Sequence, residues 1–161
     1  MDADLDTLSR QVGEHLLARG WRLATAESCT GGWVAEVVTA TAGSSGWFDC
    51  GFVTYSNDAK HALLGVSPMT LARHGAVSEQ TTAAMASGTL ERAEADLALS
   101  ISGVAGPGGG SAAKPVGTVC FGWARAGEAA QTVTRHFDGD REAIRRQAVV
   151  FALTELIRRY P

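Results

Sequence analysis

The chain has 161 residues, 45% of them hydrophobic and 19% charged, with a net charge of -3 and a pI near 5.8. That length suits a single domain with a real core, and the apolar content with so little net charge excludes a disordered chain. The acidic balance, without a basic run or aromatic-basic interleaving, speaks against nucleic acid, and no stretch approaches the roughly 18 apolar residues of a membrane span. The N-terminal MDADLDTLSR is acidic where a signal peptide is basic and then apolar, so a cytoplasmic protein is expected. Cys29, Cys50 and Cys120 are odd in number and widely spaced, which argues against a disulfide framework. No CxxC or HxxxH pairing occurs, so a metal site is not expected.

In chain order, Asp4 or Asp6 is placed to cap a first helix carrying Leu5, Leu8, Val12 and Leu16, closed by Gly20. WRLATAE (21–27) reads as a short buried strand. Gly31 and Gly32 open a second helix through Val34, Val37 and Val38, which AGSSGWF breaks. CGFVTY (50–55) is a second strand. Asn57 then caps a helix with Lys60 in its first turn. Pro68 suits the first position of a short helix to His74, and Ser78 caps a longer one to about Ala95. LALSISGV (97–104) is a third strand, followed by the glycine loop AGPGGGSAAKP. Residues 117–124 and 131–137 form a hairpin, and Asp138 or Asp140 caps a last helix. That helix is apolar nearly all round from Ala148 to Leu153, which suggests burial on two sides and a homo-oligomer. Strands alternating with helices and ending in a hairpin predict an α/β fold. We expect a single layered α/β/α domain with a mixed sheet and a C-terminal hairpin plus helix, over residues 1–161.

The stretch TAESCTGGW puts Ser28 where a strand becomes a helix, an address at which open α/β sheets hold ligands. The amides of Cys29, Thr30, Gly31 and Gly32 follow it, unpaired within the helix and able to face an oxyanion. Taken alone, the stretch favours a capping serine, and the G-x-S-x-G elbow of hydrolases is absent because Ala26 and Thr30 hold the flanks. GFVTYSNDAK puts Tyr55 and Lys60 at the same address one βα unit later. If the two strands are neighbours, Ser28, Tyr55 and Lys60 converge, and a desolvated lysine can act as the base. The loop from Gly103 onward offers amides to a phosphate or an amide-bearing ring but lacks the G-K-[ST] of a P-loop. Ser111 and Lys114 match S-x-x-K, making Ser111 a rival nucleophile, although Pro115 follows directly. Among Arg141, Arg145 and Arg146 we take Arg145 as the phosphate candidate, with Glu142 satisfying Arg146 at i,i+4.

The stretches TAESCTGGW, GSSGWF, GFVTYSNDAKHALLGV, HGAVSEQTT, SISGVAGPGGGSAAKPVGTV and GDREAIRRQA together resemble the CinA C-terminal-domain family, and within it the stand-alone nicotinamide-nucleotide amidohydrolases. The resemblance covers most of the chain from residue 23 to 150. It implies deamidation of nicotinamide mononucleotide to nicotinate mononucleotide and ammonia, without metal or cofactor. It implies catalytic Ser28 and Lys60, an assisting Tyr55, and a substrate loop containing Gly103, Ala105, Gly106, Pro107 and Gly108. It further implies a dimer or larger assembly, and a chain lacking the molybdopterin-binding-like domain that precedes this one in larger relatives. Two other readings stand beside it: a nucleotide-binding regulatory module without chemistry, and a serine amidase for another small amide.

Overall fold

A computed structural model describes the chain from Met1 to Pro161. Its elements run α1 (Ala3–Arg19), β1 (Leu23–Glu27), α2 (Trp33–Thr39), β2 (Phe48–Val53), α3 (Asn57–Leu64), α4 (Pro68–His74), α5 (Glu79–Arg92), β3 (Leu97–Gly103), β4 (Thr118–Arg125), β5 (Gln131–His136) and α6 (Arg141–Arg159). The five strands form one sheet in the order β2-β1-β3-β4-β5. β1 pairs in parallel with β2 and β3, while β4 is antiparallel to both β3 and β5. Helices α1, α2 and α6 pack together on one side, and α3 and α4 pack on α5 on the other. This is the layered α/β/α arrangement with a mixed sheet that the sequence predicts.

The central strands are covered on both faces, and their sequences show it. LATAE in β1 is buried throughout and LALSISG in β3 almost so, with no polar–apolar alternation. From β1 the chain crosses to β2 through α2 on one face. From β2 it crosses back to β3 through α3, α4 and α5 on the other. A crevice therefore opens beyond the carboxyl ends of β1 and β3, where the winding reverses.

Several boundaries differ from the sequence reading. Asp2, rather than Asp4 or Asp6, caps α1 by accepting from Leu5 N, and the other two acids lie in the first turn, where the dipole favours them. Ser56 rather than Asn57 caps α3, through Ala59 N at 3.0 Å. β2 ends at Val53 because its only partner, β1, ends opposite it at Glu27, so Thr54 and Tyr55 lie in the turn beyond. Helix α5 ends at Arg92.

The core holds Trp47, Trp123 and Phe121 fully buried, with the Phe121 and Trp123 rings stacked at 5.8 Å and Phe151 of α6 4.7 Å from Phe121. In the apolar run of α6, Ala148, Val149, Ala152 and Leu153 are buried within this chain, whereas Val150 and Phe151 are half-buried. No helix is long and apolar enough to cross a membrane.

Candidate active site

Ser28 is the first residue after β1, and its N–H donates to Ile101 O of β3 at 2.9 Å, which ties the turn to the neighbouring strand. Lys60 reaches the same point from α3 and is buried to 1% exposure. Its Nζ donates to Ser28 Oγ at 2.9 Å, to Thr54 O at 2.9 Å and to Tyr55 O at 3.1 Å. The Ser28 hydroxyl donates to Tyr55 O at 3.3 Å, so it bonds across the cleft floor and does not cap α2. All three acceptors of the ammonium are uncharged, and burial pushes Lys60 down from the ordinary lysine value. Three hydrogens match three acceptors in the charged form. After one proton is lost, two N–H groups can stay on the carbonyls while the lone pair faces the serine hydroxyl, the arrangement of a general base.

The turn after Ser28 is held from inside by a residue that the sequence reading passed over. Glu27 is fully buried at the end of β1. Its Oε1 accepts the Thr30 hydroxyl at 2.7 Å and Val34 N at 2.8 Å, and its Oε2 accepts Ala35 N at 3.1 Å. The carboxylate thus serves as the cap of α2, whose own cap position, Gly32, has no side chain and sits at φ +100°. Burial pushes the Glu27 carboxyl above its ordinary value, and these donors oppose that shift. A lone acid ending an apolar strand, with a threonine three residues on and glycines before a helix, is the signal that marks it.

The same geometry reduces the expected row of four free amides. Gly31 N donates to Ser28 O at 3.0 Å, and Gly32 N is turned to the Glu27 carboxylate. The N–H groups of Cys29 and Thr30 take no protein acceptor. Of the four residues only Cys29 lines the cleft; Thr30 is buried behind it, and Gly31 and Gly32 lie outside. Burial pushes the Cys29 thiol up to about 12, so it stays protonated beside the serine.

The cleft has a volume of about 280 Å³. Ser28, Tyr55 and Lys60 line it together with Gly103, Ala105, Gly106 and Gly108 from the glycine loop, while Pro107 does not. Gly106 adopts φ +79° and would drive a Cβ into Val116. Tyr55 contributes its carbonyl to Lys60 and Ser28. Its ring is largely exposed, and its hydroxyl accepts from Arg141 Nη2 at 3.1 Å.

The arginines separate into three roles. Arg141 lines the cleft and donates from Nη1 to Gly106 O at 2.7 Å. Arg145, the candidate from sequence, is outside the cleft: Nε donates to Cys29 O at 3.0 Å and Nη2 to Thr30 O at 3.2 Å, with the guanidinium over Trp33. It braces the Ser28 turn from behind. Arg146 is held by Asp2 at 3.1 Å through both Nε and Nη2, not by Glu142. The rival pair is apart from the site. Ser111 and Lys114 close a tight turn on each other, the Lys114 ammonium donates to His74 O at 2.6 Å, and neither lines the Ser28 cleft.

Fold and site together define an open α/β domain with a hydroxyl and a buried amine at its winding-reversal crevice. The chain belongs to the CinA C-terminal domain family, which residues 5–160 match. It is 58% identical over 155 residues to the nicotinamide-nucleotide amidohydrolase PncC of Escherichia coli K12, covering 96% of this chain and 94% of that one. It is 48% identical over 153 residues to PncC of Pseudomonas putida, covering 95% of each. The solved structure of competence/damage inducible protein CihA from Agrobacterium tumefaciens superimposes with a TM-score of 0.94 at 44% identity, over 98% of this chain and 96% of that one.

Proposed function

We propose that this chain is a nicotinamide-nucleotide amidohydrolase that converts nicotinamide mononucleotide to nicotinate mononucleotide and ammonia through an acyl-enzyme on Ser28. The reading rests on the 2.9 Å approach of Lys60 Nζ to Ser28 Oγ, and it agrees with the activity that the PncC relatives are named for.

Neutral Lys60 takes the Ser28 proton as Oγ attacks the carboxamide carbon, and the C–N bond then breaks as Lys60 passes that proton to the departing ammonia. The oxyanion draws on the free N–H groups at the head of the turn, Cys29 first. Water, deprotonated by Lys60, attacks the ester, the acid leaves, and Ser28 recovers its proton. Tyr55 assists through its carbonyl, which orients the amine. Gly108, whose Cβ direction is open, lets the pyridine ring and ribose lie close to backbone, and Gly103, Ala105 and Gly106 form the wall beside it.

The test is ammonia release from nicotinamide mononucleotide. Ser28→Ala is expected to abolish turnover and Lys60→Ala to lower kcat by roughly 10²–10⁴-fold, the span of a lost general base. Undiminished turnover in Ser28→Ala refutes the nucleophile.

A further inference from the structure

The wall of the Ser28 cleft contains two cationic side chains, Lys60 and Arg141, and no carboxylate. Lys60 is buried and committed to the serine. Arg141 makes no ion pair within 4 Å; both of its partners, Gly106 O and the Tyr55 hydroxyl, are neutral. A guanidinium carries five N–H donors, so three remain unengaged. One tyrosine spans the interval between the two ends of the site. The Tyr55 carbonyl accepts from Lys60 and Ser28, and its hydroxyl accepts from Arg141. Arg141 also borders an outer pocket with Trp33, Glu142 and Arg145, so a ligand too long for the inner cleft passes it on the way out.

We infer that Arg141 binds the phosphate of the mononucleotide and is the residue by which this enzyme selects a nucleotide over the corresponding nucleoside; the inference rests on the amidohydrolase reading above. A planar fork of unengaged donors matches two phosphate oxygens at once, whereas an ammonium acts as a point charge. The bond from Nη1 to Gly106 O holds the guanidinium in place, so little side-chain freedom remains to be lost on binding. The exposed bond to the Tyr55 hydroxyl has an uncharged acceptor and is replaced by one to an anionic phosphate oxygen. The other cations are less suited. Arg145 is engaged on the Cys29 and Thr30 carbonyls outside the cleft. Lys114 is tied to His74 O in a neighbouring pocket that also contains the Glu79 carboxylate.

The experiment compares nicotinamide mononucleotide with nicotinamide riboside. kcat/KM for each is measured in the natural protein, Arg141→Ala, Arg141→Lys and Arg145→Ala. Calorimetry of both ligands on Ser28→Ala, with and without Arg141→Ala, runs alongside. The natural protein is expected to prefer the mononucleotide. Arg141→Ala is expected to lower that preference about ten- to one-hundred-fold, through KM, and to lower mononucleotide affinity by the same factor. Arg141→Lys recovers part of it, and Arg145→Ala lowers both substrates alike by loosening the Ser28 turn. A preference that survives Arg141→Ala, with both substrates falling together, assigns Arg141 only the bracing of Gly106 and overturns the inference. So does equal binding of the two ligands, or binding of neither, in the calorimeter. Mononucleotide binding that depends on Arg141 without any ammonia release upholds the phosphate site and removes the amidohydrolase reading instead.

Discussion

Glu27 and Thr30 lock the turn that carries Ser28: the buried carboxylate accepts the threonine hydroxyl at 2.7 Å and, with the amides of Val34 and Ala35, ties that turn to the first residues of α2. The serine is held by its neighbour's hydrogen bonds as much as by its own. Glu27→Ala leaves two buried donors, the Thr30 hydroxyl and Val34 N, and the half-buried Ala35 N without their acceptor, and unfolding free energy is expected to fall by about 2–4 kcal/mol. Thr30→Val removes one bond and should cost about 1 kcal/mol. Urea denaturation measures both, and an unchanged midpoint in Glu27→Ala contradicts the role.

The pH dependence follows from Lys60. Burial lowers its value, so the proposed base is neutral over more of the pH range than an exposed lysine near 10.4. Turnover is expected to rise with pH through that lowered value and then level. Stability moves in the same direction. Unfolded Lys60 keeps its proton to higher pH than folded Lys60, so between the two values unfolding takes up a proton and stability rises with pH. In Lys60→Met that part of the rise disappears. Urea midpoints of both proteins across alkaline pH measure it, and parallel curves contradict it.

Two glycines of the loop separate backbone need from ligand approach. Gly106 at φ +79° has Val116 where a Cβ would go, so Gly106→Ala is expected to cost about 1–3 kcal/mol and to weaken turnover. Gly108 lines the cleft but would place a Cβ in open space, so Gly108→Ala should leave stability within about 0.5 kcal/mol. A raised KM in Gly108→Ala then reports contact with the substrate. Thermal melts beside steady-state kinetics distinguish the two cases.

Cys29 adjoins the serine without competing with it. Its thiol, pushed up to about 12 by burial, is protonated at neutral pH. Iodoacetamide at pH 7 is expected to leave ammonia release unchanged. Rapid inactivation, prevented in Cys29→Ser, contradicts this.

The sequence carried the sheet well because parallel strands buried on both faces read as unbroken apolar runs, as in LATAE and LALSISG. The meeting of Ser28 and Lys60 was legible because Ser28 directly follows β1, Lys60 lies in the first turn of the helix after β2, and β1 and β2 are neighbours. What could not be read depends on where separate segments meet. Arg141 and Arg145 are one helical turn apart on the same helix and identical in type. Only the packing of α6 against the 28–30 turn and the glycine loop assigns one to the cleft and the other to the Cys29 and Thr30 carbonyls. Likewise, nothing local turns the Tyr55 carbonyl to the lysine and its hydroxyl outward, since this depends on β2 stopping at Val53. Glu27 was missed because a strand-end acid ordinarily meets solvent, while here it folds back under the helix that follows.

The most direct test is to quench the protein during turnover of nicotinamide mononucleotide and map covalent adducts by mass spectrometry. The account predicts a nicotinate-mononucleotide acyl group on the peptide containing Ser28, absent from Ser28→Ala. An adduct on another residue, or continued ammonia release by Ser28→Ala, contradicts it.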